Sequence, residues 1–155
     1  MLRIFSNLFD SLGPKTPTTT GQTEREHTLQ VATAVLLIEV ARADGQINDD
    51  EQRVVEAALR TRFTLTEDEL ADLFELARHK SEHTHDLYSF TARLNTELDE
   101  AERIHIFEML WSAAYADGHA DAHEAHLLRR LADLLHLRHA DAIGAKLRAE
   151  AASRQ

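Results

Sequence analysis

From Thr23 onward, apolar residues recur three and four positions apart almost without interruption, the spacing of helices that bury one face. No proline follows Pro17, and after Gly21 the breakers are Gly45, Gly118 and Gly144. Helix starts are marked as clearly as helix faces. Thr23/Glu26, Asn48/Glu51, Thr66/Glu69, Asp99/Glu102 and Asp121/Glu124 each place an N-cap residue three positions before a Glu, the spacing of a capping box. Together these signals predict helices over 24–43, 49–62, 67–80, 84–95, 100–116, 122–136 and 139–150. Val31–Ala43 and Ile104–Ala116 are apolar almost all round, as expected of helices enclosed by others. The expected fold is all-α, a single-domain bundle of about seven helices, with the remaining helices wrapped around that pair.

Two corners of this bundle carry the same residues. Ala43-Asp44-Gly45 with Glu51, and Ala116-Asp117-Gly118 with Glu124, repeat at an offset of 73 residues from Asp44 to Asp117. At that offset Leu37 aligns with Leu110, Ala41 with Ala114, Val54 with Leu127 and Val55 with Leu128, so core positions repeat with the corners. The pattern predicts a duplicated helical hairpin, its copies packed about a pseudo-twofold axis because neither alone can bury its apolar face. Four carboxylates would then be available to one site.

The N-terminus follows a different pattern. Phe5, Leu8, Phe9 and Leu12 form an amphipathic stripe over residues 1–12, too short to span a bilayer. Residues 13–23, with Pro14, Pro17 and the run Thr18-Thr19-Thr20, are expected to form a flexible linker before a helical domain over 24–151. The stripe can dock on its own bundle, on a second copy or on a membrane surface. Only Arg3 and Lys15 supply positive charge there, so a peripheral membrane anchor over residues 2–12 has little electrostatic support, and self-docking or a homodimer is favoured.

Composition narrows the chemistry. With 27 acidic against 17 basic side chains and a formal net charge of −10, the chain repels phosphate backbones, which disfavours nucleic acid and points to cations or basic protein partners. The absence of cysteine excludes disulfide scaffolds, thiolate metal sites and cysteine nucleophiles. A cytoplasmic address fits, with contact at the inner membrane surface left open through the N-terminal stripe.

These features resemble the tellurite-resistance TerB-like family, in its stand-alone branch with an N-terminal hydrophobic segment and linker. The resemblance rests on Leu36-Leu37-Ile38-Glu39-Val40-Ala41 leading into Ala43-Asp44-Gly45, on Glu51, and on Arg62-Phe63 with Leu65. In the second half it rests on Leu110-Trp111, Ala113-Ala114-Tyr115-Ala116-Asp117-Gly118, Glu124 and Leu131-Ala132-Asp133-Leu134-Leu135. It covers roughly residues 27–150, and the doubled Asp-Gly corner is its specific part. The resemblance implies an all-α fold, a stress-response association including tellurite resistance, and no settled catalytic activity. It also implies a metal site on Asp44, Glu51, Asp117 and Glu124, with Glu39 as an extra acid.

The residues themselves leave two readings of the corners. Asp44 and Asp117 face the negative ends of helix dipoles, an unfavourable position that a cation would relieve. Alternatively, Asp-Gly is ordinary turn chemistry, and Glu51 and Glu124 have a sufficient role as the third residues of capping boxes. Carboxylates would select Ca²⁺, Mg²⁺ or Mn²⁺. The corners are not EF-hands, since Gly stands second and Glu eighth from the Asp instead of sixth and twelfth.

His119, His123 and His126 cluster at the second corner, but Gln46, Asp50 and Arg53 take the equivalent places in the first, so surface exposure is the expectation for them. His123-Glu124-Ala125-His126 lacks the metalloprotease spacing. Glu39 interrupts an apolar run and is expected at the bundle edge or paired, with Arg42, Arg53 and Arg130 as candidate partners; Trp111 and Tyr115 are expected in the core. The expected function is a non-enzymatic helical module that binds a divalent cation or a protein partner. The alternatives are a metal-dependent hydrolase using the four carboxylates, and a membrane-peripheral scaffold.

Overall fold

The computed structural model describes residues 19–43, 45, 47–83, 86–116 and 120–154. Among these residues there are seven helices and no strand: α1 (Thr19–Ala41), α2 (Asp49–Arg62), α3 (Glu67–Glu82), α4 (Tyr88–Glu97), α5 (Glu100–Ala114), α6 (Ala122–Leu134) and α7 (His139–Ser153). The N-terminal stripe, the linker up to Thr18, and the corner residues Asp44, Asp117 and Gly118 lie outside the described residues.

The central pair stands where the pattern puts it. Val31, Ala34, Val35, Leu36, Leu37, Ile38 and Val40 of α1 are fully buried. On α5, Ile106, Phe107, Leu110, Trp111 and Ala114 are nearly as enclosed. Helix α1 contacts α2, α3, α4, α5 and α6, while α5 contacts α1, α2, α6 and α7. A helix that is apolar on all sides needs neighbours on all sides, which amphipathic helices supply with their apolar stripes.

Four of the five predicted capping boxes form. Asn48, Thr66, Asp99 and Asp121 each accept the N–H of the Glu three residues on, and that Glu side chain accepts the cap residue's N–H in return. The fifth expectation, Thr23 with Glu26, is corrected: α1 begins at Thr19, so Thr23 lies inside the helix and residues 19–23 of the expected linker are helical. A glycine inside a helix costs only about 1 kcal/mol relative to alanine, and threonine less. Tertiary contacts outweigh that here, because Glu24, Thr28 and Leu29 are buried and Arg25 pairs with Glu97 of α4.

Helix ends shift by small amounts with identifiable causes. Expected from residue 84, α4 starts at Tyr88, whose N–H is held by Asp86 Oδ1 at 2.8 Å in a side-chain-closed turn. Helix α6 stops two residues short of its expected end, where His136 takes the left-handed conformation (φ 56°) and the Leu137 N–H returns to the Ala132 carbonyl at 3.0 Å. The exposed carbonyls there are satisfied from other helices, Leu134 O by Asn95 Nδ2 at 2.8 Å and Leu135 O by Arg103 Nη1 at 2.7 Å.

The two corners are built to one plan. Ala41 and Ala114 end α1 and α5, Arg42-Ala43 and Tyr115-Ala116 turn, and α2 and α6 start at Asp49 and Ala122, each pair 73 residues apart. Contacts cross reciprocally, with α2 against α5 and α6 against α1. At the first corner the turn requires glycine: Gly45 has φ 146°, and its N–H bonds the Arg42 carbonyl at 2.9 Å.

Truncation on the two central helices is the direct test of this architecture. Leu37→Ala and Leu110→Ala, both at fully buried positions, are each expected to cost about 2–5 kcal/mol in urea unfolding, whereas exposed Leu147→Ala should cost about 0.5 kcal/mol or less.

Candidate functional site

The N-terminal turns of α2 and α6 meet across one cavity of about 380 Å³. Glu51 and Asp50 line it from α2, Glu124 lines it from α6, and Ala41, Val54, Ala113 and Ala114 provide apolar wall. Two carboxylates that stand 73 residues apart in the chain, Glu51 and Glu124, therefore share one space. No basic side chain occurs among the described lining residues. Asp50 is drawn outward by Arg53, with Nη1 to Oδ1 at 3.0 Å and both side chains exposed.

Both glutamates also work as caps. Glu51 Oε1 accepts the Asn48 N–H at 3.0 Å, and Glu124 Oε1 accepts the Asp121 N–H at 3.2 Å. In return, the N–H groups of Glu51 and Glu124 donate to Asn48 Oδ1 and Asp121 Oδ1, each at 2.8 Å. The bonds fix the carboxylates in place at the start of their helices. On Glu51 the cap bond leaves coordinating capacity, because a carboxylate has about four lone-pair positions and one cap bond uses one. Glu124 is buried and Glu51 half-buried, so the second corner is the more enclosed.

Of the predicted site residues, Glu51 and Glu124 are brought together, whereas Glu39 is not brought to them. Glu39 lines a separate, more open cavity of about 570 Å³ with Arg42, His123 and His126. Its carboxylate is paired with Arg42 at 3.1 Å and accepts the Ser81 hydroxyl, which ties the end of α1 to α3. Arg42 completes the tie by donating to the Ser81 carbonyl at 3.0 Å. Glu39 is thus both partly buried and paired, and of the candidate partners Arg42 is the one that meets it.

Asp44, Asp117 and His119 lie outside the described residues. Among the described residues, no three His, Asp or Glu side chains gather closely enough to hold a metal ion. His123 and His126 are exposed. So are His79 and His83, whose rings lie 4.3 Å apart and tilted by 36° while His83 Nδ1 meets the His79 carbonyl at 2.8 Å. Sequence reasoning identified Asn48 as a cap but not as a cavity residue. No sequence signal distinguishes a cap that faces solvent from one that faces a partner helix.

One family model, described as Tellurite resistance protein TerB, matches residues 30–147, which spans the core from the middle of α1 into α7 and includes both corners. The chain belongs to the TerB family. No curated protein and no solved structure matches it. In this TerB-family chain no helix among the described residues is long and apolar enough to cross a membrane.

Behind the second corner the TerB core carries an aromatic ladder. Trp111 stacks on Tyr115 with centroids 5.5 Å apart and meets Phe107 edge-on at 6.4 Å. Tyr115 is buried and donates its hydroxyl to Glu150 Oε2 at 3.1 Å, tying α5 to α7. Both aromatics are core residues, as expected. Burial, followed by the hydrogen bond to Glu150 and the charge of that carboxylate, pushes the Tyr115 phenol above its ordinary range.

Two predictions follow from this geometry. Asn48→Ala and Asp121→Ala are each expected to cost about 1 kcal/mol, while Glu51→Gln and Glu124→Gln at the third helical position keep the cap and cost less, as read by thermal unfolding. Because the folded-state pKa of Tyr115 is raised, its contribution is intact below the ordinary phenol range and is lost as pH rises through the folded value; Tyr115→Phe should abolish that alkaline loss of stability in pH-dependent denaturation.

Proposed function

We propose that this chain is a non-enzymatic TerB-family module that binds a divalent cation, Ca²⁺, Mg²⁺ or Mn²⁺, between its two corners. Glu51 and Glu124 supply carboxylates from the N-terminal turns of α2 and α6, and Asp44 and Asp117 supply the other two. The observation that carries this reading is the shared cavity, which sets Glu51 and Glu124 on one space with no basic side chain among its described lining residues. Like charges directed into one low-dielectric space repel each other, and a hard cation offsets that repulsion while satisfying oxygen donors. A net charge of −10 acts in the same direction by concentrating cations around the chain.

The identical corner bounds and the reciprocal helix contacts support a duplicated hairpin as the origin of the paired carboxylates. Stress-response work connected with tellurite resistance, at a cytoplasmic address, is the setting the family suggests. A hydrolase is the weaker reading: beside the carboxylates, the described lining offers Asn48 and apolar residues, with no nucleophile or histidine base.

Glutamine separates the two roles of these glutamates, because it can cap a helix but brings no charge to a metal. Calorimetric titration of Ca²⁺, Mg²⁺ and Mn²⁺ is expected to give micromolar binding that is lost in Glu51→Gln/Glu124→Gln and in Asp44→Asn/Asp117→Asn. Cation at a hundredfold excess over Kd should stabilise the parent protein by about 2.7 kcal/mol and leave both variants unmoved. Equal binding by parent and variants, or no binding at all, would reduce the corners to turn and cap chemistry and turn the search to a protein partner.

A further inference from the structure

The C-terminal end of α3 presents two histidines on one face. His79 and His83 stand one helical turn apart, both exposed, with ring centroids 4.3 Å from each other. Side chains at this spacing are neighbours on a helix surface, which is how two histidines of one helix reach a single metal ion. Three features of the pair suit it to that role.

The first is the tautomer. His83 Nδ1 lies 2.8 Å from the His79 carbonyl oxygen, which can only accept a hydrogen bond, so Nδ1 carries a proton. In the neutral ring Nε2 then keeps its lone pair. A ligating histidine commonly donates its other N–H to a backbone carbonyl, which fixes the ring and leaves one nitrogen for the metal. The same bond answers one of the carbonyls that a helix end leaves open.

The second is the platform. Between the two histidines, Ser81 is fully buried, its hydroxyl donates to Glu39 of α1, and its carbonyl accepts from Arg42 Nη2 at 3.0 Å. Phe74 and Ala77 are buried along the same side of α3. With the inner side of this turn held, the outer side carries the rings on a backbone that need not be ordered when a ligand arrives. The negative end of the helix dipole also favours a cation here.

The third is the sequence order. His79-Lys80-Ser81-Glu82-His83 has the H-x-x-E-H arrangement in which one class of zinc peptidases holds its metal from a helix. Glu82 Oε1 accepts from Arg78 Nη1 at 2.9 Å, so the carboxylate that would act on water in such an enzyme is engaged elsewhere, and this turn supports metal binding without hydrolysis.

We infer that His79 and His83 form a two-histidine chelate for a divalent transition metal of the imidazole-preferring class, Zn²⁺, Ni²⁺ or Cu²⁺, with water in the remaining positions. Its donors are nitrogen, in contrast to the carboxylate oxygens of Glu51 and Glu124, which suit hard cations.

That difference in donors separates the two sites in one experiment. Calorimetric titration of Ni²⁺ and of Zn²⁺ into the untagged full chain, with Mg²⁺ in excess to fill oxygen sites, is expected to show a tightest site of one metal per chain. Affinity should fall about tenfold or more in His79→Gln and in His83→Gln, because either variant leaves one imidazole and forfeits the chelate. Both substitutions fall at exposed side chains, so Tm without metal should stay unchanged. His123→Gln/His126→Gln, at exposed histidines three positions apart on α6, should bind as the parent does. Equal affinity in the parent and both α3 variants, loss of the site in the α6 variant, or no saturable binding would overturn the inference.

Discussion

The structure depends on enclosing α1 and α5. From Leu29 on, α1 is buried around its circumference apart from Glu39, and α5 is buried except along an edge of His105, Glu108 and Ser112, so no single partner can cover either, and the rest of the chain is arranged to complete the coverage. This requirement sets the number of surrounding helices and also the positions of the corners. Where α1 and α5 end, the chain must reverse direction within a few residues and send the next helix back along the same core. Ala41 and Ala114 are the matching ends, and Asn48 and Asp121 the matching caps.

The same residues then serve local structure and chemistry together. A capping box needs a carboxylate at the third helical position to hold the cap N–H, and it fixes that carboxylate at the helix N-terminus, where the dipole favours negative charge. Thr66/Glu69 and Asp99/Glu102 form the same boxes away from the shared cavity, with Glu102 also meeting Arg62 of α2 at 4.0 Å. Glu51 and Glu124 differ because α2 packs against α5 and α6 against α1, which turns their two helix starts toward one cavity. The distinction between a structural acid and a candidate ligand here is one of placement, with identical local hydrogen bonding.

Polar side chains that hold the ends of the bundle follow a related rule. Glu39 is tolerated near the core because Arg42 and Ser81 satisfy it, and the same arginine bonds the Ser81 carbonyl at the end of α3. Asn95 and Arg103 do the same for the last carbonyls of α6.

Much of this was legible in the chain. The three-and-four spacing and the Asn48, Thr66, Asp99 and Asp121 capping boxes determine seven helices, and the fully apolar stretches before each corner determine which two are central, because both signals act over a few residues and need no partner. The start of α1 at Thr19 and of α4 at Tyr88 was not legible, since contacts from other helices and a local side-chain turn overrode weak propensities. Tertiary structure alone decided that Glu51 and Glu124 share a cavity while Glu39 faces another. Those outcomes depend on how helices far apart in sequence pack against one another, and periodicity specifies which face of a helix is buried but not what it is buried against.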